Sequence, residues 1–322
     1  MYNALNMEYY GKIGVGTPFT QFLRVAFDTG SSAIWIVDAS CNVSECLQKN
    51  RFNSSLSSTF REMDEPWKMI YSDRSYATGT LGNDCIGILG ENSEILKICN
   101  TTFGLGKEIS GFNDDPVDGL FGLSFDTVPY NGALTPLHNA IRINLFLEPI
   151  FTVWLGNKVT IIFGGFDKEN CGPIIAYEQL IAATFWLFQI RGVGIGSVNI
   201  RATYQAISDT GTSVIRGPKG IIDRLAIEIG AKYYPEADQY LINCSAFNSP
   251  PIWIIIGSNK YFIDAVNYIV EYSAGHCIFA FDGYTHMGIG NPWTLGHVFI
   301  RQFCQIYDIG NKRIGFAHHK VK

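Results

Sequence analysis

The sequence Phe27-Asp28-Thr29-Gly30-Ser31-Ser32 recurs in the second half of the chain as Ser208-Asp209-Thr210-Gly211-Thr212-Ser213. Each copy follows an apolar run and carries a Ser or Thr directly after its glycine. A single Asp-Thr-Gly is weak evidence, because Asp and Gly are ordinary turn residues. Two copies, one in each half of a chain of 322 residues, predict two homologous lobes.

The repeat extends beyond these six residues. A short stretch that ends in glycine follows each copy, Leu120-Phe121-Gly122 in the first half and Thr294-Leu295-Gly296 in the second. We therefore predict an N-terminal lobe over residues 1–172 and a C-terminal lobe over residues 173–322, joined near Cys171-Gly172-Pro173.

The rest of the chain has the pattern of an all-β protein, with short β-branched and aromatic runs that end at Gly, Asn, Asp or Pro. The predicted strands include residues 9–15, 22–27, 34–37, 159–163, 186–193 and 253–256. Helical periodicity is clear only over residues 135–143 and 219–229. We therefore expect a sheet-rich fold with a few short helices.

Composition restricts the possible partners. The chain is 47% apolar and 14% aromatic with only 16% charged residues, which is typical of a dense globular protein. Its net charge of -5 predicts no basic surface for a phosphate backbone, so nucleic acid is not an expected partner. The longest apolar run, around residues 252–256, suits one buried strand, and no membrane span is expected.

Cysteines and glycosylation sequences indicate an oxidising compartment. The eight cysteines include no Cys-x-x-Cys pair, so disulfides are favoured over a zinc or redox site. Four Asn-x-Ser/Thr sequences agree with this, at Asn42, Asn53, Asn100 and Asn243. We expect a secreted or lysosomal glycoprotein, and we expect no signal peptide within the first residues, which lack a basic segment followed by an apolar one.

The repeated loops carry a specific chemistry. A strand that ends in Asp-Thr-Gly presents a carboxylate and a hydroxyl, and its glycine lets the backbone turn sharply. Ser31 and Thr212 then lie within reach of the carboxylates of Asp28 and Asp209 as hydrogen-bond donors. If the two loops meet across a pseudo-twofold axis, the adjacent carboxylates resist joint ionisation and share one proton. The ionised carboxylate can then take a proton from water while the protonated one donates to a carbonyl.

Together these features resemble the pepsin-like aspartic proteases over nearly the whole chain. The matching landmarks are residues 8–18, 28–35, 118–123, 163–165, 207–218, 299–302 and 311–317. The resemblance implies a bilobal all-β fold with two pseudo-twofold-related, β-barrel-like lobes. It also implies an aspartic endopeptidase that hydrolyses extended polypeptides at acidic pH without a metal or organic cofactor. The implied partners are a peptide or unfolded protein substrate and a propeptide in the zymogen, which this chain does not include, and the expected state is a monomer.

The resemblance also assigns the site residues. The catalytic residues are Asp28 and Asp209, supported by Thr29, Gly30, Ser31, Thr210, Gly211 and Thr212. A β-hairpin flap is expected to cover the cleft with Tyr71 opposite the two carboxylates. The flap and substrate-binding residues are then Tyr71, Ser72, Asp73 and Trp35, with Trp35 as the expected partner of Tyr71.

Two positions depart from the family pattern. Ser72 and Arg74 replace the two flap glycines that relatives commonly have, and we expect Arg74 to bias the cleft toward acidic or polar substrate side chains. His297 follows Gly296 where relatives commonly have Asp. We expect a histidine cation there to shift the pH profile by favouring ionised carboxylates, and the alternative is a solvated histidine at the start of a strand.

Disulfide pairing follows the family in part. The resemblance implies the bridges Cys41–Cys46 and Cys244–Cys277, and the cysteines that remain are assigned as Cys85–Cys99 and Cys171–Cys304. Eight cysteines allow many other connectivities.

The alternative to an enzyme is a noncatalytic, peptide-binding protein with the pepsin fold. Such a protein would have lost an essential Asp or Gly, whereas both Asp-Thr-Gly triplets are intact. Serine and metal hydrolases are disfavoured, because the chain has no Gly-x-Ser-x-Gly and no His-Glu-x-x-His.

Overall fold

The protein is described by a computed structural model over residues 1–4, 8–91, 94–113, 115–126, 134–156, 159–285 and 293–320. The chain forms two compact units. The first contains Met1–Tyr2 and Tyr9–Leu147, and the second contains Asn3–Glu8 and Glu148–Lys322. The larger segments of the two units meet near residue 147 of the sequence, and the lobe boundary at residue 172 stays a prediction.

The described residues before Leu147 form mostly strands. They are β1 (Tyr2–Ala4), β2 (Glu8–Val15), β3 (Gln21–Asp28), β4 (Ile34–Val37), β5 (Arg61–Ile70), β6 (Tyr76–Leu89), β7 (Ile95–Ser110) and β8 (Gly119–Gly122), followed by helix α1 (Pro136–Arg142). Two 3-10 helices, Ser44–Gln48 and Ser54–Leu56, lie between β4 and β5.

These strands form one sheet in the order β1-β2-β3-β8-β4-β7-β6-β5. Strand β2 also pairs with β6, so the sheet curls back on itself. Strand β8 lies between β3 and β4, parallel to the first and antiparallel to the second. Asp28, the last residue of β3, is therefore aligned with Gly122 at the end of β8.

The second unit contains the remaining described elements. The strands are β9 (Ile150–Leu155), β10 (Val159–Phe163), β11 (Cys171–Gln179), β12 (Ala182–Ala183), β13 (Trp186–Ile195), β14 (Val198–Ile200), β15 (Tyr204–Ser208), β16 (Ile215–Pro218), β17 (Lys232–Tyr234), β18 (Gln239–Ile242), β19 (Ile252–Ile256), β20 (Asn259–Ile263), β21 (Ile269–Ser273), β22 (His276–Phe279), β23 (Phe281–Tyr284), β24 (Trp293–Leu295), β25 (Phe303–Asp308) and β26 (Arg313–His319). The helices are α2 (Lys219–Glu228), α3 (Ala265–Tyr268) and α4 (His297–Ile300), with a 3-10 helix at Cys244–Asn248.

The strands described for this unit form three sheets. A nine-stranded sheet contains β15, β24 and β16, and a four-stranded sheet has the order β17-β18-β22-β21. A five-stranded sheet has the order β10-β9-β25-β26-β11. This sheet explains why the second unit includes residues that follow Leu147. Strand β9 is hydrogen-bonded to β25 near the end of the chain and not to a strand of the first sheet.

The all-β fold predicted from the sequence is confirmed, and so are its strands and its two longer helices. Helix α2 buries Ile222, Leu225 and Ala226, which lie on one helical face. Strand β19 is buried at four of its five positions, which explains its continuous apolar sequence. None of the helices in the described ranges combines the length and the apolar character that crossing a membrane requires.

Four disulfides are present with the pairings given above, Cys41–Cys46, Cys85–Cys99, Cys171–Cys304 and Cys244–Cys277. They differ widely in the length of chain they close. Cys41–Cys46 spans 5 positions, whereas Cys171–Cys304 spans 133 and joins β11 to β25.

Removing the long-range disulfide is expected to destabilise the protein most. Closing a loop of 133 residues restricts the unfolded chain by about 5 kcal/mol, against about 2 kcal/mol for a loop of 5. We expect the pair of substitutions Cys171→Ala and Cys304→Ala to lower the urea midpoint of unfolding more than the pair Cys41→Ala and Cys46→Ala. An equal or larger loss in the second variant would contradict this order.

Candidate active site

The first Asp-Thr-Gly loop holds the carboxylate of Asp28 by two local hydrogen bonds. The backbone N–H of Gly30 donates to Oδ1 at 2.8 Å, and the Ser31 hydroxyl donates to Oδ2. The Asp28 side chain is buried, with 6% of its surface exposed. Each oxygen of the carboxylate is thus bound by a residue two or three positions later, which fixes its orientation relative to the loop.

The second loop repeats this geometry. The backbone N–H of Gly211 donates to Asp209 Oδ1 at 2.8 Å, and Thr212 Oγ1 donates to Oδ2 at 2.6 Å. Asp209 is half-buried, and its backbone N–H donates to Leu295 O in β24 at 3.2 Å. The sequence repeat therefore corresponds to a repeated hydrogen-bond pattern around each carboxylate.

Each loop packs against a glycine at the end of a neighbouring strand or directly after it, Gly122 in β8 and Gly296 after β24. A Cβ added to Gly122 would lie 2.5 Å from the carbonyl carbon of Ser32, and one added to Gly296 would lie 2.1 Å from Thr212 O. These separations are shorter than any real Cβ contact. The apolar stretches ending in glycine, which the sequence repeat detected, are therefore the strands against which the two loops turn.

His297 supports the second loop from inside the protein. It begins α4, and only 2% of its surface is exposed, so the alternative of a solvated histidine at a strand start is wrong. Its backbone N–H donates to Thr212 O at 2.8 Å, and its Nε2 lies 2.7 Å from Thr210 O, which can only accept a hydrogen bond. His297 thus binds two carbonyls of the loop, and its effect on the pH profile stays a prediction.

The hairpin of β5 and β6, in which Ile70 pairs with Tyr76, is the segment expected to form the flap. Tyr71 follows β5, and its hydroxyl accepts a hydrogen bond of 2.7 Å from Trp35 Nε1. Phe112, which the sequence analysis did not identify, packs edge-on against both rings, with centroid distances of 5.3 Å to Trp35 and 6.1 Å to Tyr71. The turn end of this hairpin is therefore held against β4 by an aromatic cluster.

The flap tip is a turn held by its own side chains. Asp73 Oδ1 accepts hydrogen bonds from the backbone N–H of Ser75 at 2.9 Å and from its hydroxyl at 2.7 Å. Arg74 is exposed and has a φ of 73°, a left-handed conformation that residues with a side chain seldom adopt. The chain keeps the turn geometry of a glycine at this position while presenting a guanidinium to solvent.

Asp118 is a second residue that sequence reasoning missed. It directly precedes β8 and is fully buried. Its carboxylate accepts hydrogen bonds from the backbone N–H and the guanidinium of Arg24. It also accepts hydrogen bonds from the backbone N–H and the side-chain amide of Asn50. The hydrogen bond that the Arg24 guanidinium donates to Asp118 raises the pKa of Arg24. This network ties β8 to β3, and the only sequence signal for it was the aspartate that opens the landmark at residues 118–123.

The candidate site is built from carboxylates and hydroxyls. Within the described ranges, no group of three or more His, Cys, Asp or Glu side chains could hold a metal ion.

Comparison with known proteins places this geometry in a family. Residues 8–319 match the family model for eukaryotic aspartyl proteases. The chain is 40% identical to aspartic protease 6 of Caenorhabditis elegans over 97% of this chain and 82% of that protein. It is 34% identical to aspartic protease 2 of Necator americanus over 97% of this chain and 83% of that protein, and 32% identical to pepsin A of Suncus murinus over 98% and 82%.

The chain belongs to the eukaryotic aspartyl protease family and is an aspartic-type endopeptidase. The family and the enzyme class expected from the repeated loops are both confirmed.

A methyl group at Gly296 is expected to disrupt the second loop. Because its Cβ would overlap Thr212 O, we expect Gly296→Ala to destabilise the protein by about 3 kcal/mol and to lower kcat/KM about 100-fold. The matched control is Gly220→Ala in α2, where nothing lies within 4 Å of the added Cβ. Unfolding curves and peptide hydrolysis of both variants test this, and an active, stable Gly296→Ala protein would show that the contact is not required.

Proposed function

We propose that Asp28 and Asp209 act together as the catalytic pair, hydrolysing peptide bonds of extended polypeptides at acidic pH. The observation that carries this proposal is that the two carboxylates accept the same pair of hydrogen bonds from their loops. In both loops a glycine N–H binds Oδ1 at 2.8 Å and a hydroxyl binds Oδ2. Membership of the aspartyl protease family supports the same assignment.

The proposed chemistry follows from two carboxylates that share one proton. Adjacent negative charges resist joint ionisation, so over an acidic range one carboxylate is ionised and the other protonated. The ionised group takes a proton from a bound water as that water attacks the peptide carbonyl, and the protonated group donates to the carbonyl oxygen. The donors from Gly30, Ser31, Gly211 and Thr212 keep the carboxylate oxygens oriented.

Replacing either aspartate by asparagine is expected to abolish hydrolysis while preserving the loop. We expect Asp28→Asn and Asp209→Asn each to lower kcat at least about 1000-fold on denatured protein between pH 3 and 7, because neither variant retains a titrating pair. Asp238→Asn is the control, since Asp238 is exposed and its φ of 49° suits asparagine. Acid activity that survives in either site variant would exclude the pair mechanism.

We propose further that the flap covers the bound peptide and that Arg74 contributes to specificity. A hairpin that closes over an extended peptide recognises its backbone, leaving side chains to be selected by the residues around them. Arg74 places a permanent cation at the exposed tip. An acidic substrate side chain near the tip would therefore be favoured, while apolar side chains on both sides of the cut follow the family resemblance.

The contribution of the Arg74 charge to specificity can be tested while the backbone conformation at this position is kept. Asparagine tolerates a φ of 73°, so we expect Arg74→Asn to lower the ratio of kcat/KM for a Glu-containing peptide over its Gln analogue about fivefold. The assay belongs near pH 6, where the substrate carboxylate is ionised. Arg74→Lys keeps the charge and should keep the ratio, and an unchanged ratio in Arg74→Asn would remove Arg74 from specificity.

We also propose that the protein is a monomeric glycoprotein of the secretory route, secreted or lysosomal, made as a zymogen whose propeptide blocks the cleft. Four disulfides support an oxidising compartment. Three of the four candidate glycosylation sites are exposed, Asn42, Asn100 and Asn243, whereas Asn53 is half-buried.

A further inference from the structure

Three polar side chains are fully buried behind the second Asp-Thr-Gly loop. Ser208, Gln305 and Tyr307 each have 0% of their surface exposed. Ser208 is the last residue of β15 and directly precedes Asp209, whereas Gln305 and Tyr307 lie on β25. These two strands belong to different sheets of the second unit, so contacts among the three residues join the sheets.

The three side chains form a hydrogen-bonded network. Ser208 Oγ donates to Gln305 Oε1, and it lies 2.8 Å from Tyr307 OH. Either hydroxyl can be the donor of the contact between Ser208 and Tyr307. Tyr307 OH also lies 3.2 Å from Gln305 Oε1. Buried polar groups of this kind bind each other in one arrangement, since each lost hydrogen bond leaves a desolvated donor or acceptor.

The β25 side of the network is held rigidly. The Tyr307 ring stacks on Phe151 with centroids 4.4 Å apart and packs edge-on against Trp186 at 4.8 Å. Tyr307 is also paired with Phe151 across the β25–β9 ladder. The packing of its ring therefore fixes the position of the Tyr307 hydroxyl, which is hydrogen-bonded to Ser208 at the end of β15.

The first loop has no counterpart of this network at the matching position. There the residue before the aspartate is Phe27, which packs against Phe121 at a centroid distance of 5.1 Å. An aromatic contact resists separation but allows small rotations, whereas hydrogen bonds to Ser208 specify both distance and direction. Successive side chains of a strand point to opposite faces, so fixing Ser208 fixes the side from which Asp209 is presented.

We propose that Ser208, Gln305 and Tyr307 are positioning residues that set the orientation of the Asp209 carboxylate for the reaction. The inference rests on the proposed function, in which Asp209 is catalytic. Loss of one hydroxyl from the network would let the end of β15 shift by a fraction of an ångström. Because such a shift misplaces a reacting group more than it weakens the binding of an extended peptide, kcat falls and KM does not.

Two variants that each remove one hydroxyl test the inference, Ser208→Ala and Tyr307→Phe. We expect each to lower kcat about tenfold with KM within about twofold of the wild-type value, measured well below the melting temperature of each variant. The double variant should be no worse than either single one, because all three proteins lack the same network. Tyr268→Phe is the matched control, since it removes a fully buried hydroxyl that binds Pro250 O at 2.7 Å, and it should keep its kcat.

The outcomes separate this inference from the proposed function. If Asp209→Asn is inactive while Ser208→Ala and Tyr307→Phe keep the wild-type kcat and only melt earlier, the network is purely structural and the positioning role is excluded. A raised KM with unchanged kcat, or losses that add in the double variant, would exclude it equally. If Asp209→Asn remains active, the proposed function fails and this inference fails with it. If Ser208→Ala does not fold, Tyr307→Phe alone carries the test, because it keeps the ring and its stacking.

Discussion

The hydrogen bonds between each aspartate and its own loop are the constraint on which the rest of the structure depends. A glycine N–H two residues later and a hydroxyl three residues later take one carboxylate oxygen each, in both halves of the chain. The shape of the loop therefore determines the direction of the carboxylate. Gly122 at the end of β8 and Gly296 directly after β24 allow the loops to turn, since any side chain there would occupy the same space as the loop backbone.

Similar carboxylate environments are supported by different surroundings. The first loop is held by backbone N–H groups of Leu123 and Ser124, which donate to Asp28 O at 2.7 Å and Ser31 O at 2.9 Å, and by an apolar residue behind the aspartate. The second loop is held by the buried imidazole of His297 and by the serine before the aspartate. The two halves thus share the hydrogen bonds within the loop, whereas the residues that pack behind the loop are apolar in the first half and polar in the second.

The sequence predicted those features that depend on local pattern. The repeated hexapeptide located both aspartates and their hydroxyl donors, alternation and turn residues located the strands, and the family resemblance located Tyr71 and its partner Trp35. It did not identify contacts between residues distant in sequence, such as Asp118 with Arg24 or Ser208 with Gln305. It treated His297 as a possible surface residue, because nothing local indicates that α4 is buried. The sequence did not indicate the boundary between compact units near residue 147, since the pairing of β9 with β25 joins segments that no short pattern connects.

Because the larger segment of the second unit begins at Glu148, the choice of first residue matters for any attempt to isolate that unit. A fragment that began at residue 173, where the repeat suggests a natural boundary, would lack both β9 and β10. Strand β25, which is paired on one side with β26 and on the other with β9, would then expose a row of free backbone N–H and C=O groups. Open edges of this kind recruit strands from other chains, so such a fragment would be prone to self-association. Strands β9 and β10 therefore cover the edge of β25, which the end of the chain contributes to the same sheet.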